Sequence, residues 1–113
     1  MILNILRIVA AIATILTGAA SLFWPLNVQG FTGLTAEGGR GITEIRTVLG
    51  AVIIALGAAA LYFNAPEPYK MLGIMYLLIA VVRAISMFLD DSVVSSNVIS
   101  VVVEVIFGII LVI

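Results

Sequence analysis

Apolar residues fill four stretches of the chain, at about 2–23, 42–63, 69–89 and 93–113, and polar connections separate them. The first connection opens with Trp24-Pro25 and is Gly-rich from Asn27 to Gly41. The second is Asn64-Ala65-Pro66-Glu67-Pro68, and the third begins at Asp90-Asp91. A helix needs about 20 apolar residues to cross a hydrocarbon core about 30 Å thick. The first three stretches meet that length, and the fourth does so if it starts near Val93 rather than near Val98. It reaches Ile113 with no polar flank, which leaves its C-terminal boundary open. The Val/Ile content of the fourth stretch favours strand in water. In a bilayer, a lone strand would leave its backbone unpaired, and a closed barrel of eight strands does not fit the length. Helix is therefore expected throughout. Arg7, the apolar run after it and Ala19-Ala20-Ser21 also have the order of a signal peptide, but the run is longer than a signal h-region and suits a spanning helix better.

Within each stretch the small and polar residues recur in steps of three and four. The seams are Asn4, Arg7, Ala11, Thr14, Gly18 and Ser21; then Arg46, Gly50, Ile53, Gly57, Ala60 and Asn64. The third stretch supplies Gly73, Tyr76, Ala80, Arg83, Met87 and Asp90, and the fourth supplies Asn97, Ser100, Glu104 and Gly108. That period gathers each set on one face of a helix. In lipid, small residues let backbones approach and polar ones bond across the contact, so the seams should face inward and the aliphatic remainder outward. The expected fold is all-α, an antiparallel four-helix transmembrane bundle in one integral membrane domain over 1–113. A 39-residue shift also superposes Arg7 on Arg46, Ile15 on Ile54 and Gly18-Ala19-Ala20 on Gly57-Ala58-Ala59. Shared packing rules account for most of this repeat.

Composition narrows the chemistry. The 113 residues are 64% hydrophobic and 10% charged, against roughly 45–50% and about 25% in soluble domains, so a water-soluble fold could not hide the apolar surface. With no Cys there is no disulfide, thiolate catalysis or iron–sulfur ligation. With no His, the commonest zinc, copper and haem ligand and the base of hydrolase triads are missing as well. The net charge of −1 gives no footprint for nucleic acid. The expectation is a protein that is not an enzyme and holds no cofactor and no metal.

Charges inside the apolar stretches are the strongest functional lead, because ionised groups at that depth face a bundle interior, pair with one another or mark a pathway. Counting the rise of about 1.5 Å per residue from the side of the Gly-rich loop puts Arg46 about 6–8 Å deep, Arg83 about 10 Å and Glu104 about 10–16 Å. Arg83 and Glu104 are the expected ion pair, with Arg46 near enough in depth to join. Glu44 sits in the first turn of the second helix, two residues from Arg46, so an inward Arg46 would turn Glu44 to a groove or an interface. Glu44 is also four residues from Arg40, a spacing suited to a surface pair if the Gly-rich segment is helical. Arg7, near the opposite surface, can snorkel to it. This cluster reads in two ways. It is a polar lock on helix register; or two inward Arg against one inward Glu leave a positive excess that holds a lipid headgroup or another small anion. Proton relay lacks a second intramembrane carboxylate.

The string Gly41-Ile42-Thr43-Glu44-Ile45-Arg46 opening a helix, with Arg83 late in the third stretch and Glu104 within the fourth, resembles a family of small bacterial four-helix integral membrane proteins of unknown function, and more loosely the DoxX-like proteins. The resemblance covers most of the chain and implies a four-helix membrane fold with those charged positions. It implies no activity and no cofactor. Taken together, these readings suggest an accessory or scaffolding subunit among other membrane subunits in the cell (inner) membrane. The alternative is a lipid or small-anion binding or transport protein. An even number of crossings puts both termini on one side, and the cytoplasm is the expected side. Arg7 and Lys70 stand there against Arg40 and Arg46 opposite, so positive charge discriminates little.

Overall fold

A computed structural model describes residues 1–113. The protein is all-α: α1 is Ile2–Phe23, α2 Pro25–Thr32, α3 Gly38–Glu44, α4 Val52–Phe63, α5 Pro66–Leu89 and α6 Ser95–Val112, with a π-helical segment at Ile45–Ala51 joining α3 to α4. Four helical spans are long and apolar enough to cross a membrane: Ile2–Phe23, Gly38–Phe63, Pro66–Leu89 and Ser95–Val112. The last, at 18 residues, reaches about 27 Å, just short of a full hydrocarbon thickness. The second starts at Gly38 and the third at Pro66, each several residues earlier than the apolar pattern alone indicates. Pro66 can open α5 because its missing N–H falls where a helix has no acceptor for it, and Glu67 in the first turn suits the positive helix end.

By its contacts the chain forms two units, Met1–Ala10 with Asn64–Ile113, and Ala11–Phe63. In the second unit, α1 and α4 pack antiparallel through glycines. A Cβ on Gly18 would stand 2.8 Å from the Gly50 carbonyl oxygen and 2.9 Å from the Ile54 nitrogen. A Cβ on Gly57 would stand 2.9 Å from the Ala11 oxygen and 3.3 Å from the Ile15 nitrogen. These two sets of contacts map onto each other under the 39-residue shift, so the repeat in the sequence is a local two-fold relation between two helices at close approach. Along the seam of α1, Ala11, Thr14, Gly18 and Ser21 are buried, whereas Arg7 is half-buried and Asn4, in the first turn, is exposed.

The Gly-rich connection holds one complete short helix and the start of another. Pro25 opens α2, and Gly33 closes it at φ 74°, its N–H donating to the Gln29 carbonyl. The Gln29 side chain then accepts a hydrogen bond from the Ala36 N–H, so the chain is held as it turns towards α3.

In the first unit, α5 and α6 form an antiparallel hairpin. Gly73 and Gly108 face each other: a Cβ on Gly73 would lie 2.9 Å from the Gly108 oxygen, and one on Gly108 would lie 3.3 Å from the Gly73 oxygen. Tyr76 and Phe107 meet edge to face, with centroids 5.7 Å apart. At the N-terminal end of α5, the buried Tyr69 hydroxyl donates to the Asn64 side-chain oxygen at 2.9 Å. That bond ties down the turn, in which Asn64 has a φ of 42°.

Candidate functional site: an arginine–glutamate pair behind a membrane-depth groove

The turn after α5 sets the geometry of the site. Asp91 takes the left-handed conformation at φ 49°, and the Ser92 N–H donates back to the Met87 carbonyl at 2.9 Å. This is the Schellman closure, made here with Asp where Gly is more usual. The Ser92 carbonyl in turn accepts from the Asn97 side-chain amide at 2.9 Å, which fixes Asn97 in the first turn of α6. Asn97 is thereby oriented with its oxygen towards Arg83, whose Nη1 donates to it at 3.1 Å.

Arg83 is also bonded to Glu104. Its Nε donates to Oε1 at 3.0 Å and to Oε2 at 3.1 Å, and its Nη2 donates to Oε2 at 2.9 Å. Arg83 lies six residues from the end of α5 and Glu104 nine from the start of α6, which places their Cα atoms about 9 and 13 Å from the shared end. Helical side chains lean towards their own N-terminus, so Glu104 reaches back towards the shared end, and the Arg83 guanidinium spans from it to Asn97 in the first turn of α6, which closes the gap. The paired geometry is the fork-to-carboxylate arrangement that makes Arg bonds strong and directional.

The two partners differ in burial. The Glu104 side chain is 10% exposed, the Arg83 side chain 34%. Glu104 lies behind and Arg83 in front, lining an open groove of about 530 Å³. Leu78, Ile79 and Val82 line the deeper part of that groove; Ser86, Asp90, Ser92 and Asn97 line the part nearest the turn.

Arg46 does not take the inward position that the seam assigns to it. It is exposed and makes no ion pair, and Ile45 is buried in its place at 3% exposure. The cause is the π-helical segment. A turn closed by i→i+5 bonds holds an extra residue, so the position stacked before the buried Gly50 is Ile45. The Thr47 hydroxyl donates to the Thr43 carbonyl at 2.9 Å and reaches the Glu44 carbonyl at 3.4 Å, occupying carbonyls where the regular ladder widens. Within the first unit, the hydrogen-bonded cluster is Arg83, Glu104 and Asn97.

Glu44 pairs with Arg40, an exposed i,i+4 contact on α3, and both line a second groove of about 500 Å³ with Ile45 and Val48. Arg7 is half-buried, and its Nε is buried without a hydrogen-bond partner. Asn97 appears in the sequence only as one seam position among many. Its role in holding Arg83 depends on the Asp91–Ser92 turn, for which the sequence offers no glycine signal. No three Asp or Glu side chains gather closely enough to hold a metal ion. Compared with family models, curated proteins and solved structures, the chain matches none.

Proposed function

We propose that the chain is a non-enzymatic, multi-pass membrane protein that serves as a small accessory or scaffolding subunit of a larger membrane assembly. The bacterial inner membrane is the setting that fits the resemblance noted above, and both termini are placed in the cytoplasm. The observation that carries this reading is the outward surface of α6. Ile99, Val102, Val103, Ile106 and Ile109 are all exposed and follow one another at helical spacing, while the polar residue at that depth, Glu104, is turned in and paired. Only 17% of the spanning window of α6 is buried within the protein. A smooth aliphatic helix face with its charge internally satisfied is suited to packing against another membrane helix as readily as against lipid.

The test is a photoreactive residue at Ile106 in the full-length protein, activated in native membranes. The proposal expects one discrete heterologous chain to be captured in high yield and the same chain to co-purify in mild detergent. Capture of lipid alone, with a monomeric mass in mild detergent, contradicts it.

A second reading, binding or transport of a lipid or small anion, is supported by the groove in front of Arg83. It draws on Arg83 and Glu104.

A further inference from the structure

The groove beside the Arg83–Glu104 pair carries a gradient of chemistry along its length. Leu78, Ile79 and Val82 lie at hydrocarbon depth, and Asp90, one residue past the end of α5, lies at the turn. From Leu78 to Asp90 the helical rise is about 18 Å, the scale on which a phospholipid passes from acyl chain to headgroup. Between these ends sits Arg83. Its Nε and one N–H of each Nη are used by Glu104 and Asn97, leaving one N–H on each Nη out of five donors. The carboxylate that neutralises Arg83 lies behind it and is not part of the groove wall, whereas Asp90 is exposed at the outer end. A ligand in the groove therefore meets an apolar wall, then a guanidinium edge, then a carboxylate.

We infer that this groove holds a phospholipid with a primary-amine zwitterionic headgroup, its phosphate on the free Nη hydrogens of Arg83 and its ammonium at Asp90. The order of charges matches that headgroup: phosphate nearer the acyl chains, ammonium beyond it. An anionic glycerol headgroup places no cation at Asp90, and a trimethylated choline cannot donate a hydrogen bond to it. The inference rests on the lipid-binding reading above and adds to it the class of headgroup and the residue that selects it.

The test is native mass spectrometry of the full-length protein from mild detergent, incubated in parallel with phosphatidylethanolamine, phosphatidylcholine and phosphatidylglycerol of identical acyl chains. A charge-assisted hydrogen bond to Asp90 should favour the ethanolamine lipid by about tenfold. Asp90→Asn should bring the three lipids to within about twofold of one another. Val82→Trp, which fills the groove without touching Asp90, should remove the bound lipid; this holds the inference to account even if Asp90→Asn fails to fold. Equal retention of all three lipids by the unaltered protein, or a preference that survives Asp90→Asn, overturns the amine assignment and leaves lipid binding standing. Failure to retain any lipid, or retention undiminished by Val82→Trp, removes both.

Discussion

Cutting the Arg83–Glu104 pair from either side should have unequal consequences, because the two side chains are unequally buried. Arg83→Leu leaves Glu104, 10% exposed, with none of the three hydrogen bonds that Arg83 gives it. An uncompensated buried charge of this kind costs about 3–5 kcal/mol. Glu104→Leu leaves Arg83 34% exposed, still bonded to Asn97 and with its free edge in the groove, so the cost should fall to about 2 kcal/mol. The double substitution to Leu removes both charges and should cost less than the sum of the two by at least about 2 kcal/mol, well beyond the 0.5 kcal/mol scatter of independent sites. Exchanging the charges, Arg83→Glu with Glu104→Arg, should recover only part of the loss. The side chain of Asn97 presents its oxygen to position 83, and an incoming carboxylate there would meet an acceptor. The assay is reversible unfolding in mixed micelles, followed by circular dichroism as the fraction of denaturing detergent rises. Additive single-mutant effects, or a Glu104→Leu variant less stable than Arg83→Leu, would refute the reasoning.

The glycine contacts make a second set of predictions, read in the same assay. Gly18→Ala and Gly57→Ala should each destabilise by about 1–3 kcal/mol, because the added methyl meets backbone atoms that cannot move aside; Gly39→Ala, with open space around it, should be close to neutral. Gly73→Ala should cost more than Gly108→Ala. The first Cβ meets the Gly108 carbonyl at 2.9 Å, whereas the tightest contacts of the second are with the end of the Leu77 side chain, which can rotate away. Arg40→Ala should change stability by less than about 1 kcal/mol, since the Arg40–Glu44 pair is exposed on both sides.

Much of this arrangement is legible in the sequence because lipid imposes a strict division of labour. Small residues at steps of three and four must mark contacts, and Ala11, Thr14, Gly18, Ser21, Gly73, Ala80, Glu104 and Gly108 are buried accordingly. Depth counting was enough to bring Arg83 opposite Glu104. The seam period, which assumes 3.6 residues per turn, does not carry through the seven π-helical residues Ile45–Ala51, where Ile45 is buried and Arg46 exposed. The helix at Pro25–Thr32 does have a readable signature, Pro at its first position and Gly just past its end, but its few apolar residues carry no period strong enough to separate it from a loop. Asn97 and Asp90 owe their places to a turn built on Asp91 in a left-handed conformation, a choice that local sequence does not announce.

Four crossings would place the Asp90–Asn97 turn on the opposite side of the membrane from the Asn64–Pro68 turn. The chain has no cysteine, so single cysteines can be introduced at Ala36, Ala65 and Ser92 and labelled in sealed membranes with an impermeant maleimide. Four crossings predict that Ala36→Cys and Ser92→Cys label from one side and Ala65→Cys from the other. Labelling of Ala65→Cys and Ser92→Cys from the same side would contradict it.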